Sequence, residues 1–427
     1  MGAGVLRGRW TAMIDDGFLN VGDHDSFANG VPHKTFERLR REDPVSWTEP
    51  TDGMRGFWSV TRHADILAAN GTPDVFSSAK GIRIEDQTHE EYLARRTFQE
   101  TDPPEHRITR KMVNPAFSRP AMLKYESLVR EMAAEVLDEA LAHPEIDGVE
   151  TIAKQLPMLM LGQILGLPRE DLDWLVQKGD ALIGNSDPDF TDFVIDKIDS
   201  DAYRFMPFRS PAGADLYDYA DKVMSGETKV SSEGVLARVL GSAEPGMSAT
   251  DFKNFFCLLI AAGNDTTRYS IAMSLYRLAR DPALLDQLAA DQCWETAADE
   301  FIRLASPTMH FRRTATCDTE LGGRAISKGD KVVLWFVSGS RDESVFDRPH
   351  DAVIDRSPNP NTAFGQGGPH FCLGMWLARM EIRIVLELLC QRVERLDMLE
   401  EPSWTRSNFI CGVKRLPVRV HLRSGAA

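Results

Sequence analysis

Apolar positions recur at three- and four-residue intervals through most of the middle of the chain. The segments "LKYESLVREMAAEVLDEALA", "KQLPMLMLGQILGL", "ATDFKNFFCLLIAAGNDTTRYSIAMSLYRLARD" and "TAADEFIRLA" all carry this pattern, which predicts helices from about Pro120 to Arg303. Before them, "GFWSVTRHADILAA" reads as a short strand, a turn and a helix start. After them, "TATCDTELGGRAISKGDKVVLWFVSGS" alternates as strands do, with glycines at its turns. A last helix is expected from Leu373 to about Val393, and "VKRLPVRVHL" closes the chain as a strand. No repeat, low-complexity tract or long linker divides the pattern. Residues 1–427 are therefore expected to form one domain of the α+β class, mainly α.

Composition narrows the function classes. A net charge of -15 makes nucleic acid an unexpected partner. No run of about 18 apolar residues predicts a membrane anchor or signal peptide, so a cytoplasmic location is expected. The six cysteines are scattered without a C-x-x-C pair, which fits neither a disulfide framework nor a cysteine-rich zinc site.

Three places interrupt the structural pattern with chemistry. In "LLIAAGNDTTR", Gly263, Asn264, Asp265, Thr266 and Thr267 sit inside an apolar helix. Glycine weakens a helix interior, and Thr266 can bond back to a carbonyl one turn earlier, so a bend is expected here. The stretch reads equally as a kink with a polar face or as an acid–alcohol pair for proton delivery into a pocket. In "ADEFIRLASP", Glu300 and Arg303 share one helix face. They would be a surface ion pair or, if buried beside further arginines, a structural clamp.

The third place is "AFGQGGPHFCLG", where Cys372 ends a glycine-rich loop just before a helix. A helix N-terminus and free backbone N–H groups stabilise a thiolate. Such a thiolate serves nucleophilic catalysis or metal ligation. His370 is near enough in sequence to be a base, but no orienting third residue accompanies it. Further zinc ligands are missing at close spacing, and a single axial thiolate on haem iron fits better.

"AGNDTT", "EFIR" and "FGQGGPHFCLG", in that order, resemble the cytochrome P450 superfamily of haem-thiolate monooxygenases, and the similarity runs from "GFWSVTRHADI" to "NFICGVKRLPVRV". The resemblance implies the helix-rich P450 fold with small β-sheets, and haem b with Cys372 as proximal ligand. It places Phe364 near the haem on the sulfur side, with Gly365, Gly368 and Gly374 shaping the loop. His106, Arg110 and His370 match haem-propionate ligands, as does Arg313 or its neighbour Arg312. Asp265 and Thr266 match the proton-delivery pair, and Glu300, Arg303 and Arg356 the clamp behind the loop.

The substrate pocket is expected from the region Ile82 to Phe98, from Ala261 and Ala262, from Thr308, Met309 and His310, and from Phe409 and Ile410. His310 reads as a packed surface histidine or as one polar contact. Asn361 and Ser340 stand where many relatives have histidine and asparagine, and the loop is one residue longer than the commonest pattern. That variant is familiar among lipid and steroid oxidisers. The implied reaction hydroxylates a terpenoid, steroid or aliphatic lipid with O2 and two electrons from a ferredoxin. The ferredoxin would dock where Arg107, Lys111 and Arg379 form a basic patch, on a chain expected to be monomeric. A peroxygenase, or a haem sensor or carrier without turnover, is the alternative.

Overall fold

The computed structural model describes residues 19–49, 54–241 and 247–424. Its spine is the helix Ala249–Arg280, which begins where the Ser248 hydroxyl accepts the Asp251 N–H at 3.1 Å. Phe252, Phe255, Phe256, Ile260, Ile271, Leu275 and Leu278 along it are buried. Around this spine pack the helices Gln155–Leu165, Leu172–Ile183, Pro211–Ser225 and Trp294–Ala305, so its apolar residues meet neighbours on several sides.

The expected bend at Gly263 does not break the helix, which remains helical over all 32 residues. Glycine is there for packing. A Cβ at 263 would stand 2.6 Å from Cδ1 of Leu161 on a crossing helix. Thr266 does bond back, its hydroxyl donating to the Ala262 carbonyl at 2.9 Å.

Strands flank this helical body. The largest sheet has the order Val45–Thr48, Phe57–Val60, Lys331–Trp335, His310–Ala315, Phe76–Ser77, with Phe57–Val60 and Lys331–Trp335 parallel and the other pairs antiparallel. The closing segment forms two strands, Val413–Arg415 and Pro417–Leu422, rather than one. The second of them pairs with Val393–Met398 and Glu145–Asp147, neither of which the hydrophobic pattern marked. Among the described residues, no helix is long and apolar enough to cross a membrane.

The pair on the helix Trp294–Ala305 is a buried clamp. Arg303 grips Glu300 in a fork, Nε to Oε2 at 2.8 Å and an NH2 to Oε1 at 2.7 Å, and both side chains are fully buried. Arg356 donates Nε to the same carboxylate at 3.0 and 3.2 Å, and Asn359 and the Val353 N–H fill its remaining acceptor positions. The free side of Arg303 donates to the carbonyls of Ser340, Pro349 and Asp351. One helix thereby pins the irregular segment 340–359 that leads to the cysteine loop.

Removing one member of such a cluster leaves the others charged and unpaired in the interior. Glu300→Ala should cost about 3–5 kcal/mol of stability. Denaturant unfolding of the purified protein measures this, and a loss near zero would show that the cluster is not a clamp.

Candidate functional site

The loop before Cys372 folds against the end of the helix His63–Asn70. Asn70 donates its amide N–H groups to the carbonyls of Gly365 and Gln366, both at 2.8 Å. Gly365 and Gly367 have φ of +68° and +94°, and a Cβ on Gly368 would meet the Asn70 carbonyl at 2.1 Å. The Cys372 N–H closes the loop on the Phe364 carbonyl at 2.9 Å. Burial pushes the thiol up, while the Gly374 and Met375 N–H groups, Arg110 and Arg379 all favour the thiolate. Met375 opens the helix Met375–Arg392, so the sulfur sits at a helix N-terminus.

Above the sulfur lies a cavity of about 180 Å³. The spine helix supplies Leu259, Ala262 and Thr266 to its walls, the large sheet supplies Phe311, and Phe336 and Leu373 complete the apolar lining. At one edge the rings of His106 and His370 lie 4.2 Å apart between centroids, tilted by 54°, and both ring nitrogens of His106 and Nδ1 of His370 are buried without a partner. Burial, with Arg110 and Arg313 nearby, pushes His106 down to about 4. Burial and the same neighbours push His370 down to about 2. Arg110 donates to the Phe371 carbonyl, and Arg313 to the Asn70 amide oxygen at 2.7 Å.

A set of buried donors without an anion fits a planar cofactor that brings its own carboxylates to this edge. The thiol below, the flat apolar walls and the donor-rich edge together suit haem.

Strand alternation separates the two arginines that the sequence left open. Arg313 points with Phe311 toward the cavity edge, its guanidinium 5.9 Å from that ring. Arg312 points to the other face and donates to the Glu85 carbonyl at 3.1 Å, away from Cys372. Phe364, Gly365 and Gly374 line the cavity as expected positions for a cofactor, while Gly368 packs against Asn70 outside it.

Thr266 lines the cavity and Asp265 does not. Its carboxylate pairs with Arg268 at 2.6 Å beside Asp180, which Arg268 also binds, at 2.7 Å. Burial pushes the Asp265 carboxyl up, Asp180 adding to the effect and Arg268 opposing it.

Of the expected pocket residues, Phe98, Ala262 and Thr308 line the cavity, and Ile82 lines a chamber adjoining it. Ala261 faces the core, one residue off the cavity face of its helix. Met309, Phe409 and Ile410 are buried in the core, Phe409 stacking on Phe311 at 6.2 Å. His310 is no surface residue. It is fully buried between Trp335 and Phe409, bonds the Asn408 carbonyl through Nδ1, and is pushed down to about 3 by burial.

The two departures from the common pattern are satisfied locally. The Ser340 hydroxyl accepts the Thr362 N–H at 3.2 Å, and the Asn361 amide oxygen accepts the Ala363 N–H at 3.2 Å. Asn70, Asp180 and Arg268 escaped the sequence reading because no local motif marks them. Arg107 and Lys111 are exposed, whereas Arg379 pairs with Asp299 at 2.6 Å and lies 5.0 Å over the Phe364 ring.

Comparison with known proteins agrees with this geometry. The cytochrome P450 family model matches residues 295–414, which span the clamp and the cysteine loop. The linalool 8-monooxygenase of Pseudomonas putida is 35% identical over 408 residues, covering 92% of this chain and 97% of that protein. The methyl-branched lipid omega-hydroxylase of Mycobacterium tuberculosis is 35% identical over 416 residues, covering 94% of each. A Mycobacterium marinum cytochrome P450 solved in complex with pseudoionone superposes with a TM-score of 0.82 at 33% identity, over 90% of this chain and 94% of that one. With the fold, the thiol loop and its sequence likeness all extending over nearly the whole chain, the protein belongs to the cytochrome P450 family and is a monooxygenase that binds haem through a cysteine thiolate.

Proposed function

We propose that this chain, as one domain, hydroxylates a hydrophobic small molecule of the terpenoid, steroid or aliphatic-lipid class, with Cys372 as the thiolate ligand and a ferredoxin as electron donor. The observation that carries the reading is the cavity itself, with the half-buried Cys372 sulfur below, unpartnered donors at one edge, and a largely apolar wall facing both. When bound, haem supplies the activation of O2, aided by the electron-rich thiolate, so that one oxygen atom enters a C–H bond and the other leaves as water.

The chain's own residues then divide the work. His106, Arg110, Arg313 and His370 hold the cofactor's carboxylates and cancel their charge. The Gly374 and Met375 N–H groups steady the sulfur. Thr266 spends its proton on the Ala262 carbonyl and so presents its oxygen lone pairs to the cavity, where they hold a proton donor against the reacting oxygen. Asp265, one residue away and paired with Arg268, is the acid member of the pair behind it. Ala262, Phe98 and Leu259 exclude water and accept an apolar ligand. Linalool and methyl-branched lipids, the compounds named for two relatives, belong to the proposed class. Arg107 and Lys111, exposed near the Phe371–Cys372 loop that Arg110 binds, offer a cationic patch to an acidic ferredoxin.

Titration of the holoenzyme with terpenes, steroids and fatty acids, read as a shift of the haem spin state, should give a response to at least one class, followed by hydroxylated product with ferredoxin, reductase and NAD(P)H. Silence across all classes would overturn the reading. Cys372→Ser should abolish the thiolate signature of the reduced carbon-monoxide spectrum while circular dichroism keeps the helical content. Retention of that signature would remove Cys372 as ligand. In Thr266→Ala, O2 consumption should persist while peroxide replaces most of the product; coupling equal to that of the wild type would free Thr266 of its role.

A further inference from the structure

A second chamber, of about 80 Å³, adjoins the Cys372 cavity, and Gln99 and Leu258 line both. Its inner surface is apolar, with Ile82, Ile195, Pro207 and Phe208 beside Leu258. Its polar groups are unusual. Arg83, Arg95 and Arg209 all line it, and Arg312 stands behind it against Glu85.

The carboxyl groups near them are already engaged. Glu85 is held by Arg83, Nε at 3.1 Å and NH2 at 2.5 Å. Glu91 accepts the Thr88 N–H in a helix cap and lies 3.4 Å from Arg209. Glu100 accepts the Thr97 N–H at 3.0 Å, and burial pushes its carboxyl up toward the neutral form, with Arg95 opposing. Arg209 also lies 3.9 Å from Asp201, so four guanidinium groups face four carboxyl groups, of which burial pushes Glu100 up toward its neutral form.

Arg95 is the least engaged of the lining arginines. It gives Nε and an NH2 to the neutral amide oxygen of Gln87, at 3.2 and 2.9 Å, and among the described residues it alone of the three lining arginines has no ion pair. Arg83 and Arg209 each keep one buried N–H without a partner. Backbone conformation adds a second sign of a built site. Phe208 and Arg209 have φ of 56° and 52°, costly for residues with a Cβ, and the Asn185 amide holds the Phe208 carbonyl at 2.8 Å. This strap sets Phe208 against the Arg83 guanidinium at 4.8 Å.

We propose that the outer chamber is a headgroup site, which takes the carboxylate of a long-chain acid on Arg95, with Arg209 and Arg83 beside it, and directs the apolar tail past Leu258 into the Cys372 cavity. The inference rests on the reading of that cavity as the hydroxylation site and adds the substrate's polar end. It also orders the reaction. A carboxylate fixed in the outer chamber leaves the remote end of the chain beside the reacting centre, so oxidation falls there rather than next to the acid.

Dodecanoic acid and its methyl ester differ only in the charge the chamber would read. Titrated into the holoenzyme by calorimetry and by spin-state shift, the acid should bind about tenfold or more tightly than the ester, with an advantage that shrinks as salt rises. In Arg95→Gln the acid should lose that advantage while the ester keeps its affinity, and Arg209→Gln should act in the same direction. Product from dodecanoic acid should carry its hydroxyl at the end remote from the carboxylate. Equal binding of acid and ester by the wild-type enzyme, a comparison that needs no variant, would overturn the headgroup site. So would variants that weaken both ligands alike. If terpenes or steroids shift the spin state and dodecanoic acid does not bind, the headgroup site falls and the hydroxylase reading stands. If no apolar compound of any class binds, the hydroxylase reading itself falls, and the headgroup site with it.

Discussion

A guanidinium taken out of water must be met by an anion or by enough carbonyl oxygens, and the architecture of this protein follows from how each buried arginine is met. Arg303 is met inside the chain, by Glu300 on one side and three carbonyls on the other. Arg268 is met by Asp180 and Asp265. Arg341, fully buried, is met by carbonyls, among them that of Leu304. These three are structural, and each ties segments distant in sequence into one body. Arg110 and Arg313 have carbonyl and amide oxygens but no carboxylate within ion-pair distance among the described residues, and they stand beside His106, neither of whose ring nitrogens has a partner, and His370, whose Nδ1 has none. That edge fits a group that brings its own counter-charge.

The histidines at that edge are subject to the same constraint. Burial, with the neighbouring arginines, opposes a proton on both His106 and His370. The glycine loop contributes by geometry instead. Gly368 lets the chain pass within contact of Asn70, and the Asn70 amide in turn fixes the loop carbonyls and Arg313. One asparagine at the end of a short helix thus joins the thiol loop to the carboxylate edge.

Much of this was legible in the sequence, for identifiable reasons. A glycine loop ending in cysteine, an E-x-x-R pair and a polar break in an apolar helix are local patterns, and local patterns survive without knowledge of the fold. The choice between Arg312 and Arg313 was not local. It depends on which face of the strand His310–Ala315 meets the cavity, and the pairing of that strand with Lys331–Trp335 decides it. His310 shares its fate with Arg312, two residues along the same face, and is buried against Trp335. Gly263 misled because a glycine that weakens a helix and a glycine that admits Leu161 look alike in sequence. Asn70, Asp180 and Arg268 act only through partners far along the chain, and nothing near them announces it.

Chemistry and specificity therefore reside in different kinds of structure. The thiol, the clamp and Thr266 sit on or beside long helices, where spacing is fixed and a motif can be recognised. The outer chamber is built from the segments 81–100 and 184–209, largely irregular chain whose arginines fall at no regular interval. Such segments tolerate change because few backbone hydrogen bonds constrain them, and a relative can keep the reaction while altering what enters. Arg95 illustrates the difference. In sequence it is one arginine of a charged helix end, in "EYLARR". In the fold it is a cation beside an apolar path to the reacting centre, held only by a neutral amide. A charge left so nearly free at the mouth of a largely apolar cavity makes binding depend on the polar end of a ligand whose other end is oxidised.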